Sequence, residues 1–150
     1  MSTSEYLTFA IAGQDYGAAI LAVREIRGWT AETPLPNAPA GVRGIINLRG
    51  QVVPIFDLRV RLGAAATPPT ATHVVIVVEA AAGQFGLLVD SVSDILTLDD
   101  AELQPVPPAA TDGNGLLLAL AARAERMVSL LDLDRLVSGA ETQLLLEEAA

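Results

Sequence analysis

Tyr16-Gly17-Ala18-Ala19-Ile20-Leu21-Ala22-Val23-Arg24-Glu25-Ile26 returns later in the chain as Phe85-Gly86-Leu87-Leu88-Val89-Asp90-Ser91-Val92-Ser93-Asp94-Ile95. Both stretches read aromatic, glycine, two apolar residues, a branched aliphatic, two spacers, valine, a spacer, an acid and isoleucine, at a constant offset of 69. Further on, Val53-Pro54-Ile55-Phe56-Asp57-Leu58 matches Val128-Ser129-Leu130-Leu131-Asp132-Leu133 at an offset of 75, the six extra residues falling near the loop-like Thr111-Asp112-Gly113-Asn114-Gly115. Self-similarity of this kind decides architecture, because each copy is one structural unit. Two related subdomains are expected within a single domain of 1–150, about 12–66 and about 67–140, with an N-terminal strand and a C-terminal helix packed on the pair.

Within each copy the pattern is mainly β. Leu7, Phe9 and Ile11 alternate with Tyr6, Thr8 and Ala10, and Ala12-Gly13-Gln14-Asp15 supplies a turn before Tyr16 to Ile20. His73 to Glu79, a turn at Gly83-Gln84, and Phe85 to Val89 repeat that hairpin. Val42 to Leu48 and Gln51 to Asp57 flank Arg49-Gly50 as another, its turn eased by a glycine that tolerates positive φ. Pro54 cannot donate to a ladder, so its strand is expected at an edge or bulged. Pro34, Pro36 and Pro39 make 33–41 an extended loop. Leu116 to Ala124 is built from helix formers, but the repeat assigns it to a strand, and tertiary context overrides propensity. Glu141 to Glu148 reads as a terminal helix with Ser138 as its cap. Short strands in duplicated units suit two tandem five-stranded SH3-like barrels with short helices, since closure removes exposed sheet edges. Each barrel is small, so their mutual interface should be apolar and fixed.

Composition excludes much chemistry. The chain lacks cysteine, so disulfides, thiolate metal sites and cysteine nucleophiles are out. It also lacks lysine, which removes the phosphate-cradling Gly-rich loop with its lysine. A net charge of -9 repels nucleic-acid phosphates and anionic lipid. Its longest apolar run, Leu116 to Ala122, is far shorter than the ~20 residues of a membrane span, so no direct membrane insertion is expected. Met1 to Glu5 holds an acid and no base ahead of any apolar stretch, which makes a secretory signal unexpected and the cytoplasm the default.

No serine sits in a Gly-x-Ser-x-Gly elbow, and the lone His73 opens an apolar strand, a structural setting. The pairs Asp99-Asp100 and Asp132/Asp134 fall where strands give way to turns, the place of caps and Asx turns. Asp112-Gly113-Asn114-Gly115 lacks the downstream ligands of a calcium loop. No catalytic residue, metal ligand or cofactor is expected. A small hydrolase would need Asp132, Asp134 and His73 gathered in one pocket, and a ligand sensor would need a deep apolar cavity.

A protein-interaction surface remains. All nine basic residues are arginines, and Arg24, Arg27, Arg43, Arg49, Arg59 and Arg61 cluster against only Glu25, Glu32 and Asp57. Arginine's planar fork suits protein interfaces. Arg49 stands at a hairpin turn where the offset of 75 places Ala124 in the second copy, which marks it for a local task.

These residues carry a resemblance. Tyr16-Gly17-x-x-Ile20-x-x-Val23-x-Glu25-Ile26-Arg27, Pro36-Asn37-x-Pro39, Gly44-x-Ile46-Asn47-Leu48-Arg49-Gly50-x-Val52-Val53-Pro54-Ile55-x-Asp57-Leu58-Arg59 and Val89-Asp90-x-Val92-x-Asp94-Ile95 resemble the CheW-type chemotaxis coupling proteins, from about Tyr6 to Val137. The resemblance implies a pair of SH3-like barrels, no enzymatic activity, and a cytoplasmic place in membrane-bound receptor arrays. It implies two partners, the regulatory domain of a CheA-type histidine kinase and the cytoplasmic tip of a methyl-accepting chemoreceptor, or their equivalents in another chemosensory pathway. Carried over by motif, the receptor- and kinase-binding residues are Glu25 and Arg49, with Ile20, Val23, Ile26, Gly44, Asn47 and Gly50 around them. Glu25 and Arg49 are expected to form an ion pair.

Overall fold

The computed structural model describes residues 3–34, 36, 41–62, 69–81, 83–107, 116–123 and 126–136. The opening alternation forms β1 (Thr3–Ile11), which turns at Ala12-Gly13 into β2 (Gln14–Ala19). A 3-10 turn, Ile20–Ala22, leads to β3 (Val23–Gly28), then β4 (Val42–Leu48), β5 (Gln51–Asp57) and the one-turn helix α1 (Leu58–Arg61). The series repeats as β6 (Val74–Ala80), β7 (Gly83–Val89), β8 (Ser91–Asp99), a 3-10 turn at Asp100–Glu102, β9 (Leu103–Gln104), β10 (Leu117–Arg123), β11 (Arg126–Leu131) and α2 (Leu133–Leu136). The Leu/Ala-rich segment is therefore strand β10, as the repeat requires and its helix propensity does not. The loop at 111–115 and the C-terminal helix expected at 141–148 lie outside the described residues.

Sheet order is β8-β1-β2-β11-β10-β9 in one barrel and β3-β6-β7-β5-β4 in the other. Each closes in the same way. The chain beyond β3 bridges back at Thr33 to Ile45 of β4, and the chain beyond β8 returns as β9 to pair Leu120 and Ala121 of β10. Each barrel has one parallel seam, β5–β7 with Ile55 opposite Gly86 and β2–β11 with Leu130 opposite Gly17. These pairs interconvert under the offsets 69 and 75, and so do the β-bulges, at Val42/Gly44 of β4 and Leu117/Ala119 of β10. The molecule is thus pseudo-twofold symmetric, register for register.

The barrels do not follow the expected split at 66/67, because the copies exchange hairpins: β1–β2 serves the barrel of β8–β11, and β6–β7 that of β3–β5. Exchange gives each hairpin two apolar faces to bury. Along β6–β7, Val75, Val77 and Leu88 fill the interior of one barrel with Val53 and Ile55. The alternate residues Ile76, Val78, Phe85, Leu87 and Val89 join Leu7, Phe9, Phe56, Leu131 and Leu136 in the largest cluster, between the barrels. An uninterrupted apolar strand such as Val74 to Val78 is what burial on both faces demands. Of the two alternatives for Pro54, the edge is overturned, since β5 is interior, while a bulge falls one residue away, in β4 at Val42/Gly44 opposite Ile55 and Phe56. Pro54 pairs Ile45 and stands one residue before the β5–β7 ladder begins at Ile55, so its missing donor falls where that side of the strand has no ladder partner.

Candidate docking surface

The β4–β5 turn puts both of its central residues at positive φ, Arg49 at 52° and Gly50 at 86°, as a two-residue type I′ hairpin requires. Glycine accepts that geometry freely; arginine does so at a cost of about 1 kcal/mol. Asn47 rigidifies the turn, its Oδ1 accepting from the Gly50 amide at 2.8 Å. The Arg49 side chain, 71% exposed, reaches back to β3 and places Nη1 and Nη2 at 2.8 and 2.6 Å from Oε1 of Glu25. The other carboxylate oxygen of Glu25 accepts from Arg27 Nη1 at 3.1 Å. The expected ion pair is formed, and Glu25 is shared between two arginines.

Barrel closure brings these groups together. A Cβ at Gly44 would collide with the Thr33 carbonyl, so glycine is what lets β4 meet the chain beyond β3. Behind that bridge, Trp29 Nε1 donates to Glu32 at 3.0 Å, Arg43 Nε donates to Glu32 at 3.0 Å, and Arg43 lies 3.7 Å from Asp57, which caps α1. Arg24, Glu25, Leu48, Arg49, Gln51, Val77 and Gln84 line an adjoining cleft of about 320 Å³.

The eight residues singled out in sequence divide into three groups. Glu25, Asn47, Arg49 and Gly50 meet at the hairpin tip, and Ile26 is 47% exposed on the neighbouring strand. Gly44 supports the closure. Ile20 and Val23 are half-buried and pack on the inter-barrel cluster. Sequence reasoning missed Arg27, the Trp29–Glu32–Arg43–Asp57 chain, and the second barrel's version of the ion pair. The offset of 69 pointed to the last, since it carries Glu25 onto Asp94, which lies 3.8 Å from Arg126, itself 3.3 Å from Asp15.

Among the described residues, His73, Asp132 and Asp134 do not gather in one pocket. His73 is 3.5 Å from Asp90, not beside Asp132 and Asp134, which line a groove on another face. Partial burial would raise the Asp90 carboxyl, but the Ala12 amide, the Arg59 guanidinium and His73 outweigh it and hold it below the usual aspartate value. Among the described residues no three His, Asp or Glu side chains form a metal-binding group, and no helix is long and apolar enough to cross a membrane.

Twin barrels carry, at one hairpin tip, an exposed arginine paired to Glu25, a candidate docking surface. Residues 5–141 match the family model of the CheW-like domain, and the chain belongs to that family of chemotaxis adaptor proteins. It is 46% identical over 140 residues to the chemotaxis protein CheW of Rhizobium meliloti, covering 93% of this chain and 90% of that protein. Identity to the chemotaxis protein CheW of Klebsiella aerogenes is 39% over 141 residues, covering 93% and 85%. The crystal structure of the scaffolding protein TtCheW from Thermoanaerobacter tengcongensis matches with a TM-score of 0.86 at 28% identity, over 93% of this chain and 96% of that one. The chain is a non-enzymatic scaffold.

Proposed function

We propose that this chain couples a methyl-accepting chemoreceptor to a CheA-type histidine kinase in the cytoplasm, at membrane-bound receptor arrays. The cytoplasmic tip of the receptor and the regulatory domain of the kinase dock on separate faces, and receptor state passes between them as a change of geometry. The docking surface centres on Glu25 and Arg49, with Ile26 beside them, Asn47 and Gly50 setting the turn, Gly44 holding the closure, and Ile20 and Val23 supporting β3 from the inter-barrel side. The observation that carries this reading is the Arg49 tip itself. An arginine held at positive φ, largely exposed, and paired to a carboxylate contributes only ~0.2–1 kcal/mol to stability, no more than its backbone strain takes away. Its placement is accounted for by what it presents.

Arg49→Ala should therefore leave the thermal midpoint nearly unchanged while weakening the complex with kinase and receptor fragments about 30-fold, or ~2 kcal/mol. Co-sedimentation and kinase-activation assays read this directly. Full kinase activation by a normally folded variant would overturn the role.

A further inference from the structure

The pseudo-twofold axis sets two grooves against each other, one filled and one open. In the first, between the β1–β2 turn and α1, Arg59 Nη2 is 2.6 Å from Oδ2 of Asp90, which also accepts from the Ala12 amide at 2.9 Å. Arg43, on β4, stands 3.7 Å from Asp57. The offsets carry Asp57 onto Asp132, Arg43 onto Leu118, Arg59 onto Asp134, and Ala12 onto Ala81. Asp90 is the counterpart of Leu21, which is 87% exposed.

At the second groove both arginines are thus replaced. Asp134 Oδ1 accepts from the Ala81 amide at 2.9 Å, and Asp132 Oδ1 accepts from the Arg135 amide at 3.2 Å. Among the described residues no guanidinium pairs with either carboxylate. What remains is a groove of about 560 Å³, with Ala19 and Ala80 among its small residues, Leu118 among its larger apolar ones, and Asp132 and Asp134 beside Glu79 as its acids. That volume lies in the range of ligand-sized clefts, roughly 300–1,000 Å³. Leu118 is 60% exposed here, although it is a large aliphatic on a barrel strand. Glu79, at the same groove, already has Arg24 at 3.4 Å.

We propose that this groove docks a protein segment that inserts an arginine between aliphatic side chains. The arginine stands in for Arg43, which faces Asp57 in the other groove, and its fork pairs with Asp132 and Asp134. The flanking aliphatics cover Leu118. The groove adjoins the Glu25–Arg49 cleft through the Arg24–Glu79 pair, but its own residues are different and the proposal stands or falls independently of that surface.

The test titrates the isotopically labelled chain with a short peptide containing Leu-Arg-Leu and, in parallel, with the same peptide carrying citrulline in place of arginine. Saturable shifts at the Ala81, Leu133 and Asp134 amides are expected with the arginine peptide and not with the citrulline peptide. Asp134→Asn should weaken binding about tenfold, and Leu118→Arg, which restores the residue of the filled groove, should abolish it. Spectral dispersion verifies that both variants fold. Equal binding of the citrulline peptide, shifts confined to other faces, or no saturable binding at millimolar peptide would each overturn the proposal.

Discussion

Asp90 joins more of the molecule than any residue of the β4–β5 hairpin tip. Its carboxylate ties the β1–β2 turn to α1 through the Ala12 amide and Arg59, and His73 approaches from the loop before β6. Because its folded pKa lies below its unfolded value, it contributes stability that is fully present above the ordinary aspartate range. That stability is withdrawn as pH falls through the lower folded value. Asp90→Asn should cost about 1–2 kcal/mol at neutral pH and flatten the acid limb of the stability profile, as read by urea midpoints between pH 3 and pH 7. An unchanged acid limb would remove Asp90 from that role. Its bonds were not legible in sequence, since Ala12, Arg59 and His73 are brought to it by sheet pairing alone. The Glu25–Arg49 pair was legible because two local motifs named both residues, whereas the chain from Trp29 through Glu32 and Arg43 to Asp57 crosses a loop whose course no local pattern records.

At the scale of elements, the two glycines of the repeat share one physical cause. A Cβ at Gly86 would stand 2.5 Å from Ile55 Cδ1 and 2.9 Å from Val75 Cγ1; one at Gly17 would stand 2.9 Å from Leu130 Cδ2. Each glycine sits where the parallel seam of its barrel crowds an aliphatic from the partner strand. Gly86→Ala should destabilise by about 1–3 kcal/mol, with Gly17→Ala milder because the end of one side chain can yield. Chemical denaturation of both variants checks the order, and a tolerant Gly86 would contradict the crowding. The repeat also read β10 correctly against its composition, since Leu117 to Arg123 must fill the slot that Val42 to Leu48 fill in the first copy. Pro54 sits not at an edge but in an interior strand that has one stretch without a ladder partner, beside a bulge in β4.

Over the whole molecule, hairpin exchange makes the barrels inseparable. Pairing between distant strands leaves no periodicity behind, so the sequence announced the duplication and concealed the exchange. The largest apolar cluster belongs to both barrels, with Phe56 and Phe85 meeting edge to face at 5.4 Å. Fluorescence of the single tryptophan, Trp29, reports on one barrel and far-ultraviolet dichroism on both. Their unfolding curves should coincide, and separated midpoints would show barrels that fold alone. A rigid pair of this kind can hold two partners in fixed relation, and hydrogen exchange in the presence of a chemoreceptor tip fragment tests that most directly. Val23 to Arg27 and Asn47 to Gln51 should gain protection when the fragment is added and lose that gain in Arg49→Ala. Protection that leaves both segments untouched, with the fragment demonstrably bound, would contradict the account.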